Sequence, residues 1–397
     1  MTFTSHLIEK LAEPEMALMS LRCKEMEEKG LDVVNLSLGE PDFPTPEYIK
    51  EAGVSAIRQN FSHYPPIQGY VELRKAISEK LKRENGLTFA PEQIVVSNGA
   101  KQALANVLFS IVNPGDEVII PTPYWATYIE MVKMVGGETV LIRTSLESKF
   151  KMSASQLESA ITPKTKVVLI NSPSNPTGAV YNKEELMELV AVLQRYPDII
   201  VLSDEIYELI TFMGNHQSIA SLPGMKGRVV IVNGVSKGFA MTGWRIGFSA
   251  SSHKIAKACV KVQSQYTSGA CSIAQMAALA AYSHPLDESI AMREAFKIRR
   301  DLVVKMAQAI PGLKIMKPEG AFYIFPDVSS YFGCEWEGEI IQNATDLSMF
   351  LLNKAMVATV SGEAFGEPLC LRISFALSDE RLKEAMNRIK DALALLK

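Results

Sequence analysis

Between residues 94 and 232 the chain repeats one pattern: a short run of apolar, mostly β-branched residues, a turn, then a stretch with helical spacing of its apolar positions. The runs are Ile94-Val95-Val96, Val118-Ile119-Ile120, residues 139–143, Val167-Val168-Leu169-Ile170, residues 199–202 and Val229-Val230-Ile231-Val232. Runs this short and this apolar read as strands covered on both faces, which calls for a mainly parallel sheet with helices packed over it. Ligands of such sheets sit beyond the carboxyl ends of the strands. Gly99, Trp125, Asn175, Asp204 and Lys237 each fall just after a run, so they are expected along one sheet edge.

The flanks differ. Residues 17–29 read as a helix closed by Gly30, and 33–37 as a strand leading into Gly39-Glu-Pro-Asp-Phe-Pro-Thr-Pro46. Prolines at 41, 44 and 46 forbid helix or central strand there, leaving a stiff linker or a segment laid across a ligand. A helix over 46–60 precedes a fixed loop, residues 63–69, that presents the hydroxyl of Tyr64. Helices are expected over 255–283 and 285–310. Beyond these the pattern becomes antiparallel, with strands at 313–316, 321–325, 358–360 and 371–375 and a closing helix over 379–396. The expected division is an N-terminal segment (1–45) contributing to a small domain, a large domain (46–290) and a small α+β domain (291–397).

A net charge of −3, with no block of like charges, argues against a nucleic-acid or membrane-surface partner. The N-terminus lacks a secretory pattern and no run approaches the ~18 apolar residues of a membrane span, so the expected location is cytoplasmic. Five scattered cysteines without CxxC spacing suggest neither disulfides nor a metal site, and are expected as small buried hydrophobes.

The chemistry gathers around residues 233–247. Lys237 lies in a glycine-flanked turn after an apolar strand, near the cation Arg245. A desolvated amine beside a cation is short of protons and attacks carbonyls, forming a Schiff base; the alternative is an ordinary solvated loop lysine. Ser236 and Arg245 suit an anion such as a phosphate. Gly99-Ala100-Lys101, at the mouth of a helix, offers free amides to the same group. Asp204 is either a carboxylate for a protonated ring nitrogen or a helix N-cap before Glu205. Trp125 either stacks on a ring or fills core. Asn175 and Tyr207 can hydrogen-bond a ring hydroxyl. Arg372, inside the apolar strand Leu371-Arg-Ile-Ser-Phe375, needs either an anionic ligand or a structural salt bridge.

Taken jointly, the chain resembles the class I pyridoxal-phosphate-dependent aminotransferases, in the branch of the bacterial Ib-type aspartate aminotransferases. The resemblance runs nearly end to end and rests on Asn171-Ser-Pro-Ser-Asn-Pro-Thr-Gly178, Ser203-Asp-Glu-Ile-Tyr207, residues 235–247, Pro318-Glu-Gly-Ala-Phe-Tyr323 and Leu371-Arg-Ile-Ser374. It implies an α/β fold of type I, with a large domain whose mainly parallel sheet is covered by helices and a smaller α+β domain. The implied cofactor is pyridoxal 5'-phosphate, and the implied reaction a ping-pong transfer between an L-amino acid and a 2-oxo acid. Lys237 would then be the Schiff-base lysine and proton carrier, and Asp204 the partner of the ring nitrogen. Asn175 and Tyr207 would contact the phenolic oxygen, and Trp125 the ring face. Gly99, Ala100, Lys101, Ser236 and Arg245 would surround the phosphate, with Tyr64 reaching it from the second subunit of a homodimer. Gly39, Asn175, Trp125 and Arg372 would meet the substrate, its α-carboxylate on Arg372, and Lys101 its side-chain carboxylate. Two departures stand out. Similar enzymes carry small hydroxyl residues where this chain has Glu13-Pro14-Glu15-Met16-Ala17, which leaves room for aromatic donors, and a phosphate-site serine is here Gly234, implying a looser cofactor. A lyase or synthase on the same fold would keep Lys237, Asp204 and Arg372. A sensing regulator would need a DNA-binding module in front.

Overall fold

The computed structural model describes residues 3–13 and 15–397, with Met16 and Ala17 as backbone only. Pro14 and the side chains of Met16 and Ala17, part of the departure at 13–17, therefore lie outside the described residues.

After the two-residue strand β1 (Val34–Asn35), the apolar runs become β2 (Ile94–Asn98), β3 (Glu117–Pro121), β4 (Glu138–Ile142), β5 (Thr165–Asn171), β6 (Ile200–Asp204) and β7 (Val229–Gly234). A further strand, β8 (Ile246–Ala250), was not expected. The seven strands β2 to β8 form one sheet in the order β2-β8-β7-β6-β5-β3-β4. Pairs from β7 to β4 are parallel, while β8 runs antiparallel to both its neighbours. Alternate residues serve opposite faces. Val96, Ile119, Val168, Ile170 and Ile231 enter one core with the helices Glu47–Arg58, Val71–Asn85 and Ser272–Ser283. Val95, Val118, Ile120, Leu169, Leu202 and Val232 enter the other with Gly99–Ile111 and His253–Tyr266. Burial on both faces is why these strands lack a polar alternation.

The antiparallel β8 matters for the site. Its register, Asn98↔Ile246 and Gly234↔Gly247, delivers Arg245 to the edge where the parallel strands end. Two glycines make this approach possible: a Cβ on Gly234 would lie 2.7 Å from Ile246 O, and one on Gly247 2.3 Å from Ala100 N.

The remaining strands are β9 (Tyr323–Ile324), β10 (Glu335–Trp336), β11 (Glu339–Ile340), β12 (Val357–Ala358), β13 (Val360–Ser361) and β14 (Leu371–Ser374). An antiparallel sheet of order β13-β14-β9 carries Arg372 at its centre. Residues 313–316 are not a strand and make only an isolated bridge, Lys314↔Asp327. Val357–Ala358 pairs with β1 in parallel, not antiparallel, a contact across most of the sequence that local patterning does not encode. The helices Thr127–Met134 and Ala344–Ala355 were also not expected. Val34 and Leu36 pack with Phe296, Phe322 and Ile373 in this second core. Leu36 N donates to Ala358 O and Leu36 O accepts from Ser374 N, both at 2.9 Å, so the segment before Gly39 is held beside the strand of Arg372. Cys23, Cys259 and Cys370 are buried, but Cys271 is exposed and Cys334 partly so, because both lie at element boundaries. No described helix is long and apolar enough to cross a membrane.

Candidate active site

The strand ends enclose a cleft of about 310 Å³, lined by Gly39, Ala100, Lys101, Trp125, Asn175, Asp204, Tyr207, Ser236, Lys237, Arg245 and Arg372, among others. Twelve of the thirteen residues expected in the site thus line it or, in the case of Gly99, stand directly behind it. Tyr64 is not brought there. It is 97% exposed on the single chain.

Lys237 sits in the turn after β7, and its Nζ donates to Gly39 O at 2.5 Å. Burial draws its amine down to about 8; Glu40 opposes the shift, and Arg372 and Arg245 add to it. That is not a solvated loop lysine. Asp204 ends β6 and is 3% exposed. Its Oδ2 accepts from Tyr128 Oη at 2.6 Å and its Oδ1 from Ile206 N at 3.2 Å. Burial raises its carboxyl to about 6 in spite of those hydrogen bonds. The bond to Ile206 is a local turn contact and no helix follows, so N-capping does not account for an acid at this depth. Asn171, its neighbour in register, donates from Nδ2 to Asp204 O (3.0 Å) and accepts from Asn175 N (2.8 Å).

Arg372 is 0% exposed, yet no carboxylate pairs with it among the described residues. Its Nη1 donates to Asn175 Oδ1 (3.0 Å) and its Nη2 to Ser37 O (2.5 Å), while Nε has no partner. The guanidinium lies 4.6 Å from the Tyr323 ring and 5.0 Å from that of Phe365. Tyr323 Oη in turn meets Tyr207 Oη at 2.9 Å. A structural salt bridge is therefore ruled out for Arg372. A buried cation that lines a cleft and keeps one N–H without a partner suits an anion supplied from outside.

A second anion cradle lies at the start of the helix Gly99–Ile111. Gly99 has φ +80°, and a Cβ on it would fall 2.1 Å from Arg245 Nη2, so the guanidinium lies flat against glycine backbone. Arg245 is held by Thr242 O (2.9 Å) and faces the first helical amides with Ser236. Lys101 Nζ stands 4.9 Å over the Trp125 ring, and Trp125 meets Tyr128 edge-on at 5.3 Å. Trp125 lines the cleft and packs on the core beneath it.

An amine short of protons, a buried acid, a helix N-terminus with a guanidinium and a second buried guanidinium together fit a phosphorylated pyridine aldehyde and a carboxylate-bearing substrate. Sequence reasoning missed Tyr128, Tyr323, Asn171 and Thr242. Tyr128 lies three residues after Trp125, and Tyr323 and Asn171 sit at the ends of two of the motifs, which was the available signal.

Residues 31–389 match the family described as Aminotransferase class I and II. The chain is 48% identical over 373 residues, 93% of its length and 78% of the other's, to a bifunctional aspartate aminotransferase and glutamate/aspartate-prephenate aminotransferase of Petunia hybrida. It is 44% identical over 393 residues, 98% of each chain, to an aspartate/prephenate aminotransferase of Cereibacter sphaeroides. The crystal structure of the aspartate aminotransferase from Rhizobium meliloti superposes with a TM-score of 0.96 at 43% identity, covering 100% of both chains. The Thermus thermophilus aspartate aminotransferase with maleate superposes with a TM-score of 0.92 at 38% identity, covering 99% of this chain and 100% of that one.

Proposed function

Since the chain belongs to the class I and II aminotransferases, which work with pyridoxal 5'-phosphate, we propose that it moves the amino group of aspartate to a 2-oxo acid such as 2-oxoglutarate, in two half-reactions at one site. The observation that carries the substrate class is Arg372, a fully buried guanidinium without a carboxylate of its own. Lys101, a second cation at the same cleft, suits the side-chain carboxylate of a dicarboxylic donor.

When bound, the cofactor supplies an aldehyde carbon for the amino group and a cationic ring that withdraws electrons from the substrate Cα. The protein does the rest. Arg372, with Asn175 and Gly39, holds the α-carboxylate and so fixes which bonds of Cα face Lys237. The amine of Lys237, kept short of protons by burial, would take the proton from the substrate Cα and serve as its carrier. Asp204, the buried acid of the cleft, would pair with the ring nitrogen and hold it protonated; Asn175 and Tyr207 would serve the phenolic oxygen, and Trp125 the ring face. Gly99, Ala100, Lys101, Ser236 and Arg245 take the phosphate. Tyr64, exposed on the single chain and absent from the lining of its own cleft, would reach the phosphate of a partner in a homodimer. In this reading residues 46–290 carry the cofactor, and 1–45 with 291–397 form the smaller unit bearing Ser37, Gly39 and Arg372.

The test is a panel of amino donors with 2-oxoglutarate as acceptor. Aspartate should give the highest kcat/KM, with oxaloacetate and glutamate formed in equal amounts. Release of ammonia or an eliminated product in place of glutamate would indicate a lyase, and an aromatic donor outperforming aspartate would reassign the side-chain pocket. The names of the relatives favour a second reading for the acceptor, so prephenate belongs in the acceptor panel.

A further inference from the structure

Behind the turn that carries Asp204 and Tyr207 lies a second polar assembly that the transfer reaction does not use. Asp204 and Tyr207 line the cleft, whereas Glu208 and His216 line a separate cavity on the far side of the turn. Glu205, directly after Asp204, is 1% exposed. Its Oε1 accepts from Ser203 Oγ (2.9 Å) and Ser218 Oγ (2.6 Å). Its Oε2 lies 3.1 Å from Nε2 of His216, whose side chain is 4% exposed. Two carboxylates on consecutive residues at the end of one buried strand repel each other, and in a medium of low polarity that repulsion is large.

The charges facing His216 can be counted. The turn contributes Glu205 and Glu208, and the helix Val71–Asn85 contributes Lys80 and Glu84. Lys80 is committed to Glu208 and to Asn85 Oδ1 at 2.8 Å. Arg83 and Arg293 line the same cavity, and Tyr282, beside Glu208 and Glu84, stays a neutral phenol. Glu205 is thus left with His216 as its only cationic neighbour within salt-bridge distance among the described residues.

We propose that His216 is a positioning residue for the cofactor: its positive charge offsets Glu205, so that Asp204 can keep its own negative charge for the ring nitrogen. The inference rests on the cofactor reading given above. The direction of titration agrees, since burial opposes protonation of His216 but Glu205 and Glu208 overcome it, and Glu205 is among the groups that raise Asp204.

The experiment measures the dissociation constant of pyridoxal 5'-phosphate by equilibrium dialysis from pH 5 to 9, for the unmodified chain, His216→Gln, Glu205→Gln and the double variant. Affinity falls on the acid side as Asp204 protonates. In His216→Gln the uncompensated Glu205 should move that acid limb up by about one pH unit and weaken binding about tenfold within it. In Glu205→Gln, which keeps an oxygen for Ser203 and Ser218, the limb should move down, and in the double variant it should return to within about half a unit of the unmodified chain. A role in packing alone moves both single variants toward weaker binding and makes the double variant worst; that pattern, or an unmoved limb in both single variants, overturns the proposal. If His216→Gln does not fold, the direction seen in Glu205→Gln decides by itself. Failure of the unmodified chain to take up the cofactor would overturn the functional reading together with this one.

Discussion

Asp204 is an acid held where an acid is uncomfortable. Its folded value of about 6 lies above the ordinary 3.8, so the native state binds the proton more tightly than the unfolded chain. Without cofactor, the resulting loss of stability is absent below the unfolded value and complete above the folded one, and at pH 7 it amounts to roughly 3 kcal/mol. Asp204→Asn should therefore raise the melting temperature of the cofactor-free protein at pH 7 while weakening pyridoxal 5'-phosphate at least tenfold, read by thermal melting and equilibrium dialysis. Lys237 is displaced in the opposite sense for a base. With its amine near 8, the rate of cofactor capture at fixed cofactor concentration should climb as pH passes from 7 to 9. Arg372→Ala removes a cation that no neighbouring carboxylate needs. It should raise KM for the amino donor by about a hundredfold, roughly 3 kcal/mol of lost carboxylate binding, with cofactor affinity little changed. Steady-state kinetics beside dialysis of the same variant separates the two.

At the level of elements, the strand β8 explains two features that look like weaknesses in the sequence. Inserted antiparallel between β2 and β7, it brings Arg245 against Gly99 at the start of a helix, a contact that a side chain on Gly99 would block. The same insertion sets Gly234 opposite Gly247. Gly234, read from sequence as a lost phosphate-site serine, thus has a packing reason: any Cβ there meets the backbone of Ile246 and Gly247 within 3 Å. Gly234→Ser should accordingly lower the melting temperature by several degrees, about 1–3 kcal/mol, and bring no gain in cofactor affinity. The parallel strands were legible because burial on both faces selects continuous β-branched runs. β8, reading Ile-Gly-Phe-Ser-Ala, carries too few such residues to announce itself, and residues 313–316 have the pattern of a strand but find only the single bridge to Asp327.

For the molecule as a whole, the exposed position of Tyr64 is the feature a single chain leaves unexplained. A tyrosine this open, in a proline-bearing loop, is consistent with the shared site proposed above. If sites are shared, Tyr64→Ala and Lys237→Ala chains should each be nearly inactive alone. Unfolded and refolded together in equal amounts, they should recover about a quarter of wild-type activity, because half the dimers are mixed and each holds one intact site. No recovery, with mixed dimers present by native mass spectrometry, would mean that each site is built from one chain. Arg299 also acts at this scale: it bonds Asp42 (2.7 Å) and Asp379 (3.3 Å) and lies against Phe43 and Phe296, tying the segment after Gly39 to the second core.

Local chemistry along the chain was enough to specify the parallel sheet, the residues that end its strands and the kind of group they suit, because apolar periodicity and strand-end polarity are properties of neighbouring residues. It could not specify the surroundings of Asp204, Trp125 or Arg372. Those surroundings lie across space: Tyr128 beside Asp204, Lys101 over Trp125, and the absence of any carboxylate paired with Arg372 among the described residues. Folding decides such questions, since the free energy of a buried charge depends on its surroundings and those surroundings come from distant parts of the sequence.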